Sequence, residues 1–346
     1  MEEKIILQVL MGLDIGGAET HVVELAIELK KRGYRVIVAS SGGLYESKLK
    51  ENNIELVNLP LNKKDVISVK KSRKTLSEII RKKNIRLIHC HGRIPAFVVG
   101  RLQDKLDFTM ITTAHGTFKV NPLLRRLTKW GDQVFYVSQD IKEYLIENYK
   151  LDRQRMHATI NGINLEKFRK RDKKAEAIVH ISRLDKSTSK IAYYLLDYGK
   201  YNQKEKIIIV GHGQEFTKLK KIARAIPNIN LVGRSEDVGQ YLNREKIFVG
   251  ISRAALEAMC YNLPIILAGN YGYMGILEEK KLAKAMYNNF TARNTKALSY
   301  RLLRDDLDHL LACGDGNYQW EREFIKRNYS VKKMTDDYEK IYNLYL

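Results

Sequence analysis

Several short segments of this chain combine residue types that handle phosphates and sugar hydroxyls. The first is Asp14-Ile15-Gly16-Gly17-Ala18-Glu19, which opens directly into a helical pattern. Paired glycines such as Gly16 and Gly17 let the backbone approach a ligand, and a helix N-terminus favours an anion. The same pair also suits a tight strand–helix turn. The spacing lacks the third glycine of a dinucleotide fingerprint, which argues against a nicotinamide dehydrogenase. Two further segments, His89-Cys90-His91-Gly92-Arg93 and Thr113-Ala114-His115-Gly116-Thr117, each follow an apolar run. A histidine at the end of a strand donates to a sugar hydroxyl or a phosphate, or else serves the fold. Metal ligation by these histidines is a further option, though no carboxylate or thiol pair stands beside them at ligand spacing.

The second half offers a different set. Ser182-Arg183-Leu184-Asp185-Lys186, with Lys190 four residues on, suits a diphosphate clamp or a solvated basic loop. Val210-Gly211-His212-Gly213 and Leu231-Val232-Gly233-Arg234 are further turns after apolar runs. The most distinctive stretch is Val249-Gly250-Ile251-Ser252-Arg253-Ala254-Ala255-Leu256-Glu257-Ala258-Met259. Glu257 stands among apolar residues, and a buried carboxylate needs a partner. A ribose diol would serve, and so would Arg253, one helical turn away.

These loops need elements to hold them. Strand-like runs cover Lys4–Leu10, Tyr34–Ala39, Glu55–Leu59, Arg86–Cys90, Met110–Thr113 and Gln133–Val137. Between them lie amphipathic stretches at Glu19–Lys31, Val69–Lys82 and Ile141–Tyr149. The alternation restarts with Glu176–Ile181, Lys206–Val210, Asn228–Val232, Lys246–Val249 and Pro264–Leu267, with helices at Glu215–Ala225 and Arg253–Tyr261. Alternating β and α patterns predict two parallel sheets covered by helices, with ligands at the carboxyl ends of the strands. The charged stretch Lys167–Lys174 is the expected linker, and Lys332–Leu344 a closing amphipathic helix. The expected division is residues 1–170, 171–325 and a final segment 326–346.

The chain has 346 residues and is 44% hydrophobic, enough for two cores. Its formal charge of +21 points to an anionic partner. Three scattered cysteines give neither a disulfide framework nor a zinc spacing. No export signal is read in the first residues, and a cytoplasmic protein is expected. Nucleic-acid-binding spacings are absent, so no nucleic acid is expected as partner. A short helix is predicted within Phe118–Trp130, capped by Asn121 with Pro122 in its first turn. Leu123, Leu124, Leu127 and Trp130 would share one face, with Arg125, Arg126 and Lys129 on the others. Such a helix is either a core helix with a basic outer face or one that rests on an anionic membrane.

Taken in order, these segments resemble the retaining glycosyltransferases of the GT-B fold, family four. Gly16-Gly17-Ala18-Glu19 with His21 resembles that family's first loop, and Thr113-Ala114-His115-Gly116 its histidine loop. Val137-Ser138 and Asn161-Gly162-Ile163-Asn164 with Phe168 resemble its first-domain ending. Ser182-Arg183-Leu184, Val210-Gly211-His212-Gly213 and Leu256-Glu257-Ala258-Met259 resemble its second-domain motifs, and Arg322–Leu344 its closing helices. The resemblance implies two Rossmann-like domains facing across a cleft, an acceptor-binding first domain and a second that takes the nucleotide-sugar. It implies transfer of a sugar from a UDP- or GDP-sugar to a glycan or lipid-linked acceptor, without metal or other cofactor. In it, His115, Arg183 and Lys190 carry catalysis. Gly16, Gly17, Lys186, Gly211, Arg234, Gly250, Arg253 and Glu257 bind the donor. The chain departs from the family's paired-glutamate motif, because Val249 stands where the first glutamate is found. That departure motivates one alternative, a catalytically silent GT-B partner subunit, and a sugar-nucleotide epimerase, which shares the fold, is another. The departure also predicts that sugar selection shifts to the Gly250–Ser252 turn and Arg253. The charge excess adds an anionic membrane surface as a partner, on the inner face of a plasma membrane.

Overall fold

A computed structural model describes residues 3–168, 176–243, 245–313 and 318–346. Of the expected linker, Lys167 and Phe168 are described and the remainder lies outside these residues. The chain forms two compact units. Unit 1 is Met1–Gly162 with Val331–Leu346, and unit 2 is Ile163–Ser330. The changeovers fall at 162/163 and 330/331, where the expected boundaries were 170/171 and 325/326. Their cause is local: Ile163 forms a parallel bridge with Ser330, and its N–H donates to the Tyr329 carbonyl at 2.6 Å. The segments entering and leaving unit 2 therefore lie side by side.

Unit 1 holds seven strands: β1 (Ile5–Leu10), β2 (Arg35–Ser40), β3 (Glu55–Asn58), β4 (Leu87–His91), β5 (Thr109–Ala114), β6 (Gln133–Tyr136) and β7 (Met156–Ala158). Their order is β3-β2-β1-β4-β5-β6-β7, and every pairing is parallel. Alternating strand residues feed two cores. Ile6, Val36, Val38, Leu87 and Ile111 pack under the Gly17–Lys31 helix, while Leu7, Val9, Ile37, Ile88 and Met110 pack under Val66–Lys82 and Arg93–Gly100. Burial on both faces explains why these strands read as unbroken apolar runs. The helix Val331–Tyr342 places Val331, Met334, Tyr338 and Tyr342 in the first of these cores. Gly162 admits it: a Cβ there would sit 2.9 Å from Met334 Cβ and from Val331 Cα.

Unit 2 holds six strands: β8 (Ala177–Ile181), β9 (Lys206–Val210), β10 (Ile229–Val232), β11 (Glu245–Gly250), β12 (Ile265–Gly269) and β13 (Gly272–Ile276). The order is β10-β9-β8-β11-β12-β13, and only β13 runs antiparallel. Ile178, Ile207, Ile209, Ile247 and Val249 meet the helices Lys190–Tyr201, Phe216–Ala223 and Tyr300–Cys313 on one face. Both sheets are thus Rossmann-like, with strand order reversing between β1 and β4 in one and between β8 and β11 in the other.

The short segment after Gly116 differs from expectation. Asn121 Oδ1 accepts from the Leu124 N–H at 2.7 Å and Pro122 opens the helix, as the residues predicted. The helix ends at Leu127, where Thr128 turns to extended backbone, and none of its residues is buried. It is therefore not a core helix. Trp130 lies beyond it, buried, with its ring edge-on to Tyr149 at 5.0 Å, and so does not share the face of Leu123.

Candidate functional site

The carboxyl ends of both sheets carry the residues singled out in the sequence. In unit 1, Gly16 caps the helix that begins at Gly17, and the Thr20 hydroxyl donates back to the Gly16 carbonyl at 2.8 Å. A Cβ built on Gly17 meets nothing within 4 Å. The fold itself leaves room for a side chain there, so the open backbone suits a ligand that comes close.

His115 follows β5 and is half-buried. It belongs to a group of four histidines with His21, His89 and His91. The ring centroids of His21 and His115 are 4.8 Å apart, which brings the Gly16–Gly17 helix start to the same place as the β5 loop. His115 Nε2 bonds to His91 Nδ1 at 3.0 Å, and His91 Nε2 reaches Gln8 Oε1 at 3.0 Å. That last bond spans β4 and β1, where the strand order reverses. Burial pushes the imidazole of His115 down to about 4 and those of His89 and His91 well below their ordinary value. All three are neutral at physiological pH. A neutral imidazole exchanges hydrogen bonds with hydroxyls but supplies no countercharge to a phosphate.

A second chain of hydrogen bonds supports this group from behind. Asn161 Oδ1 lies 3.2 Å from His21 Nδ1, and His21 Nε2 lies 2.8 Å from the Tyr338 hydroxyl. Tyr338 meets Thr113 Oγ1 at 2.9 Å, Thr113 meets His89 Nε2 at 2.7 Å, and His89 Nδ1 meets the Tyr342 hydroxyl at 2.5 Å. With Asn161 oxygen as acceptor, every proton has one place to go: Tyr342 donates to His89, His89 to Thr113, Thr113 to Tyr338, Tyr338 to His21 and His21 to Asn161. Gln8, Tyr338 and Tyr342 were not singled out in the sequence. Gln8 had a signal, as the one polar residue within the run Ile5–Leu10. The tyrosines had none, since their partners lie more than 220 residues away.

In unit 2, Arg183 is exposed in the loop after β8. Lys186 and Lys190 line a cavity of about 390 Å³ with Ser189, Tyr193, Glu215, Lys218 and Asn270. Three lysines against one glutamate give this cavity an anion-binding character. Asn270 Oδ1 accepts from the Lys190 N–H at 3.1 Å, tying the helix start to the end of β12. Gly211, at φ +152°, has no room for a Cβ, which would collide with the Ser182 carbonyl oxygen. A Cβ on Gly250 would press into the Phe248 ring at 2.7 Å. These two glycines are thus demanded by packing of the fold. Arg234 is exposed after β10.

Arg253 and Glu257 are both buried in the helix Ser252–Met259, and Arg253 Nε donates to Glu257 Oε1 at 2.9 Å. The carboxylate's partner is thus the arginine one turn earlier, and the guanidinium is held by it. Ser252 has φ +58°, in the left-handed region, and its N–H donates to the Phe290 carbonyl at 2.7 Å. Across the β8–β11 reversal, His180 Nδ1 donates to the Val249 carbonyl at 2.7 Å, and Ser182 Oγ bonds to His180 Nε2 at 2.8 Å. Each sheet therefore has a histidine bonded across its reversal point. Among the described residues, no group of three or more His, Cys, Asp or Glu side chains is arranged to hold a metal ion.

Comparison with known proteins follows the two units. A model of "Glycosyltransferase Family 4" matches residues 15–167, and one of "Glycosyl transferases group 1" matches residues 175–304, together most of the chain. An uncharacterised glycosyltransferase of Methanocaldococcus jannaschii is 22% identical over 290 residues, covering 76% of this chain and 69% of that protein. A glycosyltransferase from Rickettsia africae superposes with a TM-score of 0.78 at 18% identity, covering 99% of both chains. The Anabaena protein HepE in complex with UDP-glucose superposes with a TM-score of 0.76 at 12% identity, covering 98% of this chain and 99% of that one.

Proposed function

Because the chain belongs to the group 1, family four glycosyltransferases of the GT-B fold, we propose that it moves a sugar from a UDP- or GDP-sugar to a lipid-linked or cell-surface glycan, with retained anomeric configuration and without a metal. The observation that carries the donor half of this reading is the lysine-lined cavity of unit 2. Lys186 and Lys190 stand there at the carboxyl edge of a Rossmann-like sheet, next to exposed Arg183. Charge-assisted contacts from these three cations would hold the diphosphate and stabilise it as it leaves. A UDP-sugar is favoured for the first trial, since HepE takes UDP-glucose on the same fold. In this reading the departing phosphate accepts the acceptor's proton, and the protein supplies position and charge. Glu257 holds the ribose, and Arg253 fixes the carboxylate instead of touching the sugar. His115, neutral, meets a sugar hydroxyl, and the Gly16–Gly17 helix start lies beside it.

The membrane half rests on the outer surface of unit 1. Val66 and Ile67 are 67% and 80% exposed at the start of the Val66–Lys82 helix, with Lys63, Lys64, Lys70, Lys71 and Lys74 around them. Arg73 on that helix donates to the Val98 carbonyl at 3.4 Å, and Gly100 lies against the Lys129 side chain. A further exposed aliphatic residue of unit 1, Leu123 at 65%, stands on the helix Pro122–Leu127 beside Arg125 and Arg126. Exposed aliphatic residues set in a cationic field suit an anionic leaflet, with each basic residue near it worth about 1 kcal/mol. Among the described residues, no helix is long and apolar enough to cross a membrane.

A thermal-shift panel of UDP-, GDP-, ADP- and CMP-sugars tests the donor, because a ligand that binds only the folded state raises its stability. One nucleotide series should stand out. A flat response to all four overturns the donor reading. Flotation with anionic liposomes at low salt tests the surface, and absence of any association removes it.

A further inference from the structure

In the donor reading above, cations meet the phosphates, Glu257 the ribose and His115 one sugar hydroxyl, which leaves other hydroxyl contacts of the donor to be assigned. The β8–β11 reversal supplies a candidate whose hydrogen-bonding sense is determined by its surroundings. A backbone carbonyl can only accept, so the bond from His180 to Val249 places a proton on His180 Nδ1. Burial drives the His180 imidazole down to about 4, so the ring is neutral and carries no second proton. His180 Nε2 is therefore an acceptor. Its partner at 2.8 Å, Ser182 Oγ, must spend its single hydrogen on it. The serine oxygen then has lone pairs left and no proton to offer.

Position gives this chemistry a use. Ser182 is the first residue past β8, the strand at which the order of the sheet reverses. Ligands of open α/β sheets sit outside the strand ends at such a point. The residue is half-buried, and its carbonyl underlies the Gly211 turn, which leaves no room for a Cβ there. Arg183 follows directly and is exposed. A phosphate oxygen facing Ser182 Oγ would set acceptor against acceptor. A hydroxyl facing it would make a full hydrogen bond.

We propose that Ser182, oriented by His180 and the Val249 carbonyl, is an obligate hydrogen-bond acceptor that reads a hydroxyl of the nucleotide-sugar, while its neighbour Arg183 takes the phosphate. This rests on the donor reading of the same sheet. The hydroxyl belongs to the ribose or to the transferred sugar, and the test separates the two.

The wild-type chain is titrated by calorimetry with UDP and UDP-glucose, with the 2′- and 3′-deoxyribose forms of UDP, with UDP-sugars lacking single hexose hydroxyls, and with inorganic pyrophosphate. GDP and GDP-mannose with their deoxy forms replace this series if only the guanine nucleotides bind. One deoxy compound should bind wild type about tenfold more weakly, the scale of one hydrogen bond. Ser182→Ala should lose the same factor for the parent compound and no longer distinguish it from that analogue. A ribose analogue behaving so assigns the ribose, and a hexose analogue the sugar. Ser182→Thr keeps the hydroxyl and should restore discrimination, which separates recognition from a general effect on folding. For His180 as the positioning residue, its ring nitrogens should show the neutral Nδ1–H form in NMR from about pH 5.5 to 8. His180→Asn, which can still donate to Val249 but frees the serine proton, should blur the discrimination. Ser182→Ala binding the parent like wild type overturns the proposal, as does an equal loss for pyrophosphate or an Nε2–H form of His180. If wild type binds no nucleotide at all, the donor reading fails and takes this inference with it.

Discussion

At the scale of single residues, the burial of Arg253 and Glu257 decides between two uses of one side chain. The sequence left Glu257 a choice between a ribose and Arg253, and assigned Arg253 to the sugar. The structure pairs them at 2.9 Å inside one helix. Removing one partner of a buried pair leaves the other charge uncompensated, at a cost of roughly 3–5 kcal/mol. Arg253→Ala should therefore lower the free energy of unfolding in urea by up to that order, and Arg253→Met with Glu257→Leu should recover much of the loss. A change below about 0.5 kcal/mol for Arg253→Ala would show that the pair does not hold the helix. His115 gives a second expectation. Its imidazole, held near 4 by burial, does not titrate between pH 6 and 8. Turnover should not lose an acid-side limb in that window on account of this residue. His115→Ala should keep the fold, because the residue lies in the loop after β5 and not inside a strand, and lower turnover. Normal turnover in that variant would remove His115 from the site.

At the scale of elements, the hydrogen-bond chain ties the Val331–Tyr342 helix to β4, β5 and the Gly17–Lys31 helix. Tyr342→Phe leaves His89 Nδ1 buried without its donor, and Tyr338→Phe breaks two bonds in mid-chain. Each should cost about 1–3 kcal/mol in chemical denaturation, Tyr338→Phe the more. Losses under 0.5 kcal/mol would show that the chain is incidental. Elements of this kind differ in how far a sequence exposes them. Strands buried on both faces announced themselves as apolar runs, and eleven of them were legible to within two residues at either end. β7 was missed because it is three residues long with only Met156 buried, and β13 because Gly272 and Gly275 interrupt it. The helix at Pro122 was legible from its cap and overextended at its end, because the stop at Thr128 has no glycine or proline to mark it. The glycine and basic loops of the site were legible by type. The bonds that orient His115 and Ser182 were not, since they join residues that only the strand order makes neighbours.

At the scale of the whole molecule, the two units differ in their acid response. In unit 1, His89, His91 and His115 all have imidazoles depressed by burial. The unfolded chain takes up their protons near pH 6.5 while the folded unit refuses them, so stability present above that value is lost as pH falls. Unit 2 has one such group, His180, and one of opposite sense. Glu321 is fully buried with neither carboxylate oxygen hydrogen-bonded, and its carboxyl is held well above the usual range. The unfolded chain releases that proton near pH 4.5 and the folded unit keeps it, so stability is lost as pH rises. Lowering pH from 7.5 to 5.5 should thus destabilise unit 1 more than unit 2. The two tryptophans report separately, Trp130 in unit 1 and Trp320 in unit 2, so thermal melts of Trp320→Phe and Trp130→Phe variants resolve the difference. Equal shifts at both reporters would refute it. The division of unit 1 into two stretches of chain also sets a timetable. The ribosome completes residues 1–162 and must then add 168 more before residue 331 appears. At about 5–20 residues per second this takes roughly 8–34 s. Throughout that interval His21, His89 and Thr113 wait without Tyr338 and Tyr342, while the unit encoded second can already close. The half of the protein that is translated first is therefore the half that matures last, and a nascent chain stalled before residue 331 is expected to be cut by protease in its oldest part.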